Sequence, residues 1–213
     1  MNGLFFTFEG GEGAGKSTQI RKFRGKLESL GYEIIQPREP GSTLTGEIIR
    51  DILKFEKSGE ALSPRCELLL FEAARAQLID NVIGPALKNG KYVLCDRFFD
   101  STTAYQGYGR EMNIEDIFNL NRIATQGLSP DITFLLDLPV SEGIGRAQAR
   151  AEEQQGKKDT FEALKIQFHE RVRNGYLAIA ASYPERMKVI DASKTPEEVA
   201  ESIWDVYLQK YEK

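Results

Sequence analysis

Sulfur ligands and imidazoles are scarce in this chain, which holds two cysteines and one histidine among 213 residues. Cys66 and Cys95 lie far apart without metal-ligand spacing, which argues against a disulfide framework or a zinc site. No apolar run approaches the ~18–20 residues of a membrane span. The opening MNGLFFTFEG lacks a basic segment and a small-residue cleavage site, so it does not read as a signal peptide. Positive charge is not in excess either. At a net charge of −4 the chain lacks the basic surface that non-specific nucleic-acid binding needs. No Asn-Lys-x-Asp motif follows an expected strand, which weighs against a guanine-reading switch of the GTPase type. Internal repeats and dividing linkers are missing too. These absences lead to the expectation of a soluble cytoplasmic protein, with residues 1–213 forming one domain large enough for a full core.

What is present alternates. Short apolar runs at Leu4–Phe8, Tyr32–Ile35, Lys91–Cys95, Ile132–Leu136 and Lys188–Ile190 predict strands. Helical patterns fall between them, at 16–30 and near 45–55, 65–88, 114–126, 141–152, 160–182 and 196–210. In the first of these, Ile20, Phe23, Leu27 and Leu30 share one face and Gly31 is a stop. Strands separated by helices predict an α/β fold, a mostly parallel sheet flanked by helices on both faces. The polar stretch Arg146–Asp159 reads as an exposed helix end and a mobile loop.

Between the first strand and first helix runs Gly10-Gly11-Glu12-Gly13-Ala14-Gly15-Lys16-Ser17, followed by Thr18. This is the P-loop pattern in its required context. Its glycines let successive backbone N–H groups surround a phosphate at the positive end of the helix. Lys16 would reach the β- and γ-phosphates and Ser17 would ligate Mg²⁺. Glu12 is the anomaly, a carboxylate inside a loop built to hold anions.

The third strand ends in Asp96-Arg97, at the edge of the sheet where such folds bind ligands. Asp96 is the natural partner for Mg²⁺, in part through water; Asp137, at the end of the fourth strand, is its rival. Arg38, Arg50, Arg75 and Arg97 are further cations at telling positions. Phe71 and Arg75, four apart on one helical face, suit a planar base, although Phe71 packed in the core and Arg75 lying along the surface remain the plainer alternative. Asp100–Gly107 adds hydroxyls, a phenol and an amide. Arg146 and Arg150, with Lys157 and Lys158 beyond, are either a solvated helix face or a basic lid. His169 reads as a packing or surface residue.

At this point the chain resembles a known family, the bacterial thymidylate kinases. The likeness is carried by Phe8-Glu9-Gly10 with the P-loop, Arg38-Glu39-Pro40-Gly41, Phe71-x-x-x-Arg75-x-Gln77, Pro85-Ala86-Leu87 and Asp96-Arg97-Phe98-x-x-Ser101-x-x-Ala104-Tyr105-Gln106-Gly107. It implies a five-stranded parallel sheet with a mobile lid at about 143–160. It also implies Mg²⁺-dependent transfer of the γ-phosphoryl group of ATP to dTMP, giving dTDP and ADP for dTTP synthesis. Under the resemblance Gly10–Thr18 bind ATP, and Lys16, Asp96, Arg97, Arg146 and Arg150 serve catalysis. The dTMP site would comprise Glu12, Arg38, Glu39, Arg50, Phe71, Arg75, Arg97, Ser101, Thr102, Tyr105 and Gln106. Within it Phe71 stacks on thymine, Arg75 and Gln106 with Ser101 or Thr102 read its edge, and Tyr105 crowds the 2′ position. Arg97 holds the phosphate and Glu12 meets the acceptor sugar. A homodimer is implied as well. Gly13, where relatives of another subtype carry arginine, fits a subtype whose lid holds the basic residues. Two positions depart from the common pattern: Asp159-Thr160, where many relatives have Asp-Arg, and Pro40-Gly41-Ser42, where many have Pro-Gly-Gly. Kinases for other nucleotides or deoxynucleosides, and an inactive scaffold, are the competing readings.

Overall fold

The computed structural model describes residues 3–55, 60–153 and 164–211, with the backbone alone for 55 and 150–153. Strand β1 (Phe5–Glu9) is buried along its whole length because it lies in the middle of a five-stranded sheet. A strand that is buried on both faces demands cover on both, as parallel sheets wrapped by helices provide. Helix α1 (Lys16–Ser29) follows the glycine loop and leads to the short β2 (Ile34–Ile35). Next come α2 (Leu44–Phe55), α3 (Pro64–Leu78), a π-helical turn (Ile79–Ile83), α4 (Gly84–Lys88) and β3 (Tyr92–Asp96). After α5 (Phe99–Thr102) a second π-helical segment (Thr103–Gly109) precedes α6 (Ile114–Thr125) and β4 (Ile132–Asp137). Helices α7 (Val140–Glu153) and α8 (Ile166–Ser182), β5 (Met187–Asp191) and α9 (Pro196–Tyr211) complete the described chain.

All strand pairs are parallel, in the order β2-β3-β1-β4-β5. From β1 the chain goes to the edge strand β2, returns to β3 beside β1, and then crosses to β4 on the other side. The crevice at the carboxyl ends of β1 and β3 is therefore a topological switch point, the usual ligand site of such sheets. Phe6 and Phe8 face α1 and α9, packing with Phe23, Phe134 and Tyr207. Each fully buried phenylalanine contributes roughly 1.5–3 kcal/mol. The opposite face is apolar only in part. Phe5 packs there with Val93 and Phe98, but Thr7 and Thr133 form a hydrogen bond of 2.7 Å and Glu9 is completely buried.

The expected elements are recovered, with several differences. The first strand is shifted by one residue, and only Ile34–Ile35 of the second pairs. The long helix near 65–88 widens into a π-turn just before Pro85, which has no N–H to continue the α-helical ladder. Of the helix expected over 160–182, residues 160–163 lie outside the described residues, and the described helix begins at Ile166. Finally, 99–109 is helical where no helix was expected. Its threonines and glycines are poor helix formers, so packing decides. Gly109 lies against Phe168, and Tyr108 against Gly175, closely enough that a Cβ at either glycine would meet the facing ring within 3 Å.

Candidate active site

The glycine loop bends where only glycine is at ease. Gly13 has φ +68°, and a Cβ there would lie 2.1 Å from the Gly143 carbonyl oxygen of α7. That contact explains the missing arginine physically, since no side chain fits at this position. Within the loop, Lys16 Nζ donates to the carbonyls of Gly10 at 3.1 Å and Gly11 at 2.9 Å. Burial lowers the Lys16 pKa and the nearby Arg97 charge adds to this, bringing it to about 8 despite Glu12 and Asp96. A bound anion would restore its proton affinity. Ser17 Oγ donates to Asp96 Oδ2 at 3.3 Å, so the hydroxyl and the carboxylate share one corner. Asp137 is engaged elsewhere, by Arg173 through two bonds of 2.7 and 2.9 Å.

Arg97 leaves β3 with φ +69°, a corner that turns its guanidinium back towards the P-loop. Its Nη1 donates to Gly10 O, Ser101 Oγ and Tyr176 Oη, and its Nη2 to Glu12 Oε1 at 2.9 Å and Tyr105 Oη at 3.2 Å. The carboxylate in the phosphate loop is thus the counter-charge of this arginine. Burial alone would raise the Glu12 pKa, but Arg97 and Lys16 overcome that and hold it at about 2. Behind the corner, Glu9 accepts from Phe98 N at 2.7 Å, Ser101 Oγ at 2.6 Å and Tyr176 Oη at 2.9 Å. Burial, reinforced by Asp100, pushes Glu9 up to about 7 against the opposing pull of Arg97.

Arg75 does not lie along the surface, for it is 1% exposed. It pairs with Glu72 and Glu39 and donates to Asn121 Oδ1 at 3.1 Å and Thr102 Oγ1 at 2.9 Å. Each of its five N–H groups already has an acceptor. Burial raises the Glu39 pKa to about 7 although Arg75 opposes it. Ser101, expected as one of two candidates for a base edge, is committed to Glu9 and Arg97, which leaves Thr102 on that wall.

A cavity of about 290 Å³ gathers most of the expected residues. Glu12 to Thr18, Arg38, Glu39, Arg50, Phe71, Arg75, Asp96, Arg97, Ser101, Thr102, Tyr105 and Gln106 all line it. Pro40, Leu53 and Lys54 join them without having been foreseen. Gly10 and Gly11 line a neighbouring cavity of about 30 Å³ with His169, Arg173 and Tyr176. His169 is buried, so the packing reading of it holds. Arg38 is held by both oxygens of Glu47 and Arg50 by the Pro40 carbonyl. Ser42 adopts φ +64°, where glycine is favoured, and its hydroxyl compensates by bonding the Arg38 backbone N–H and C=O. Arg146 is not brought to the cavity, since its Nη1 donates to Ala192 O at 3.2 Å. The Arg150 side chain, and Lys157, Lys158, Asp159 and Thr160 of the expected lid, lie outside what the structure describes.

Glu47, Glu67, Glu72, Asn121, Arg173 and Tyr176 support the site and were not singled out in sequence, and Glu9 enters only as part of Phe8-Glu9-Gly10, with no role of its own. Glu72 lies only three residues from Arg75, but most of the other partners are far apart in the chain, up to 167 residues, where spacing carries no signal. No helix among the described residues is long and apolar enough to cross a membrane.

The family model described as thymidylate kinase matches residues 8–203. A thymidylate kinase of Trichlorobacter lovleyi is 44% identical over 208 residues, 97% of this chain and 98% of its own length. One from Pelobacter propionicus is 47% identical over 208 residues, 97% and 94% of the two chains. Among solved structures, thymidylate kinase from Ehrlichia chaffeensis superposes with a TM-score of 0.77 at 33% identity, covering 97% of this chain and 99% of that one.

Proposed function

The chain belongs to the thymidylate kinase family, and from that premise we propose that it transfers the γ-phosphoryl group of ATP to dTMP, giving dTDP and ADP. The observation that carries this reading is one cavity lined both by the P-loop and by a wall of Arg97, Phe71, Tyr105 and Gln106. Phosphoryl transfer asks for positioning and charge neutralisation rather than covalent chemistry. The loop amides and Lys16 would cradle the donor. Arg97 would take the acceptor phosphate, its charge exchanged from Glu12, while Glu12 accepts a hydrogen bond from the acceptor sugar. Arg38 and Arg50 face the same phosphate region, Phe71 offers its ring to the base, and Tyr105 crowds the sugar. Asp96 and Ser17 supply two hard oxygens at one corner, a donor set that suits Mg²⁺ bound mostly by phosphate and water. Bound there, the ion would neutralise charge between the two substrates. Among the described residues no cluster of three or more acidic, histidine or cysteine side chains competes for it.

In the same proposal residues 1–213 act as one unit in the cytoplasm, with Arg146 and Arg150 leading into a lid at about 143–160. A homodimer is supported by the stripe Leu44, Ile48 and Ile52 on α2, of which Leu44 is 91% exposed. The deciding experiment is ADP release with dTMP, dUMP, dCMP or AMP as acceptor. A clear preference for dTMP is expected. A preference for AMP, or ADP release independent of any acceptor, would overturn the reading. Sedimentation at micromolar concentration should give twice the chain mass.

A further inference from the structure

Thr102 and Gln106, four residues apart where α5 passes into the π-helical segment, both line the cavity. Neither side chain is free to choose its orientation. Gln106 Nε2 donates to Glu67 Oε1 at 2.9 Å. Arg110 grips the same carboxylate, with Nε to Oε1 at 3.2 Å and Nη2 to Oε2 at 2.8 Å. Glu67 is 5% exposed, so these partners are not competing with bulk water. A carboxylate only accepts, which means the amide nitrogen must face Glu67 and the amide oxygen must face away. The reverse orientation would press oxygen on oxygen in a buried place. The Gln106 amide oxygen has no hydrogen-bond donor among the described residues. Across one helical turn, Thr102 Oγ1 accepts from Arg75 at 2.9 Å, and its own proton goes to no acceptor among the described residues. The wall therefore offers a fixed acceptor beside a hydroxyl donor.

We propose that Glu67 determines base specificity: by locking the Gln106 amide it presents an acceptor that selects pyrimidines carrying a ring N3–H, thymine and uracil, over cytosine. Cytosine has an acceptor at N3, and its exocyclic amine replaces the carbonyl that Thr102 would serve. Glu67 touches no substrate and acts as a positioning residue. The inference rests on the acceptor being a pyrimidine nucleoside monophosphate, as proposed above.

A glutamine at 67 offers either an oxygen or an amine, so it releases the lock while keeping the volume. In Glu67→Gln the kcat/KM preference for dTMP over dCMP should fall by ~30-fold or more, within the range that hydrogen-bond selection commands. The dTMP-to-dUMP ratio should stay as it is, because both bases carry N3–H. Glu67→Asp, still an obligate acceptor, should retain the preference. Equal loss on dTMP and dCMP in Glu67→Gln would mark Glu67 as structural and overturn the proposal, as would unchanged discrimination. If Glu67→Gln does not fold, ¹⁵N NMR of the unmutated chain decides. Slow exchange of a Gln106 side-chain amide proton, with and without dTMP, supports the lock, and rapid exchange in both overturns it. Failure of the unmutated chain to phosphorylate dTMP would instead defeat the functional reading on which the inference rests.

Discussion

The acceptor wall and the donor loop hold their cations in opposite ways. On the wall, Arg75 and Arg97 are tied to carboxylates: Arg75 to Glu39 and Glu72, and Arg97 to Glu12 with Glu9 behind it. In the loop, Lys16 leans only on two neutral carbonyls, and burial has already loosened its proton. Further along, Arg146 rests on another carbonyl, at Ala192, and pairs with Glu142 at 3.7 Å, away from the cavity. One side is built before any substrate arrives. The other has, in Lys16, a cation whose neutral partners an incoming polyphosphate readily displaces. Rigid recognition and adaptable charge are thus separated in space, with Glu12 at the boundary.

The sharpest way to break this contrast is to remove a cation from the built side. Arg75→Ala leaves Glu39 and Glu72 buried without their partner, and should cost about 3–5 kcal/mol of stability by urea denaturation. A loss below about 1 kcal/mol would show that the wall is not held by this network. Arg97→Ala should lower kcat by ~10³-fold while binding of a fluorescent ATP analogue survives. Near-normal turnover with dTMP would remove Arg97 from the transition state.

The built side should also respond to pH. Glu9 and Glu39 hold protons more tightly folded, at about 7, than at their ordinary 4.5, so folding takes up protons between those values. Their contribution is complete below pH 4.5 and is lost as pH rises through about 7. Each fully realised shift corresponds to on the order of 3 kcal/mol. Glu12 runs the other way: its contribution is present above 4.5 and is lost as pH falls towards about 2. Denaturation midpoints measured from pH 3 to 8 should therefore peak near pH 4.5 to 5. A midpoint rising steadily from pH 5 to 8 would contradict this assignment.

On the donor side, Gly13→Ala places a methyl against the Gly143 carbonyl at positive φ, and should cost roughly 1–3 kcal/mol in stability. A neutral outcome by calorimetry would show that the loop yields there. The smallest change falls on the boundary residue. Glu12→Gln should raise the KM for dTMP about tenfold, about 1.4 kcal/mol, with the KM for ATP nearly unchanged. The opposite pattern would place Glu12 on the donor.

Sequence reading found the residues whose chemistry announces them and missed those that act through others. The P-loop, Asp96-Arg97 and Phe71 are visible because the roles proposed for them show in neighbouring letters of the chain, and the fold brings them to one cavity. Glu9 enters the sequence reading only within Phe8-Glu9-Gly10, and only the fold reveals that Phe98, Ser101 and Tyr176 converge on it. Asp137 and Asp96 are equivalent as letters at strand ends, and Arg173, on α8, separates them. The helix at 99–109 was hidden for a related reason, since its composition argues against it and α8, more than fifty residues later, stabilises it. Local signals fix elements and motifs; the contacts that orient side chains are made by parts of the chain that sequence spacing does not connect.

The glycine seam where Gly13 meets Gly143 has a mechanical meaning as well. Two backbones in contact, with no side chain between them, form a fulcrum that neither partner can slide across. Helix α7 is anchored to the phosphate loop at its first turn, and its far end at Glu153 lies ~15 Å away at 1.5 Å per residue. A tilt of about 10° about that point carries the tip by roughly 2.5 Å. A small adjustment of the loop around a ligand would thereby be magnified along the helix.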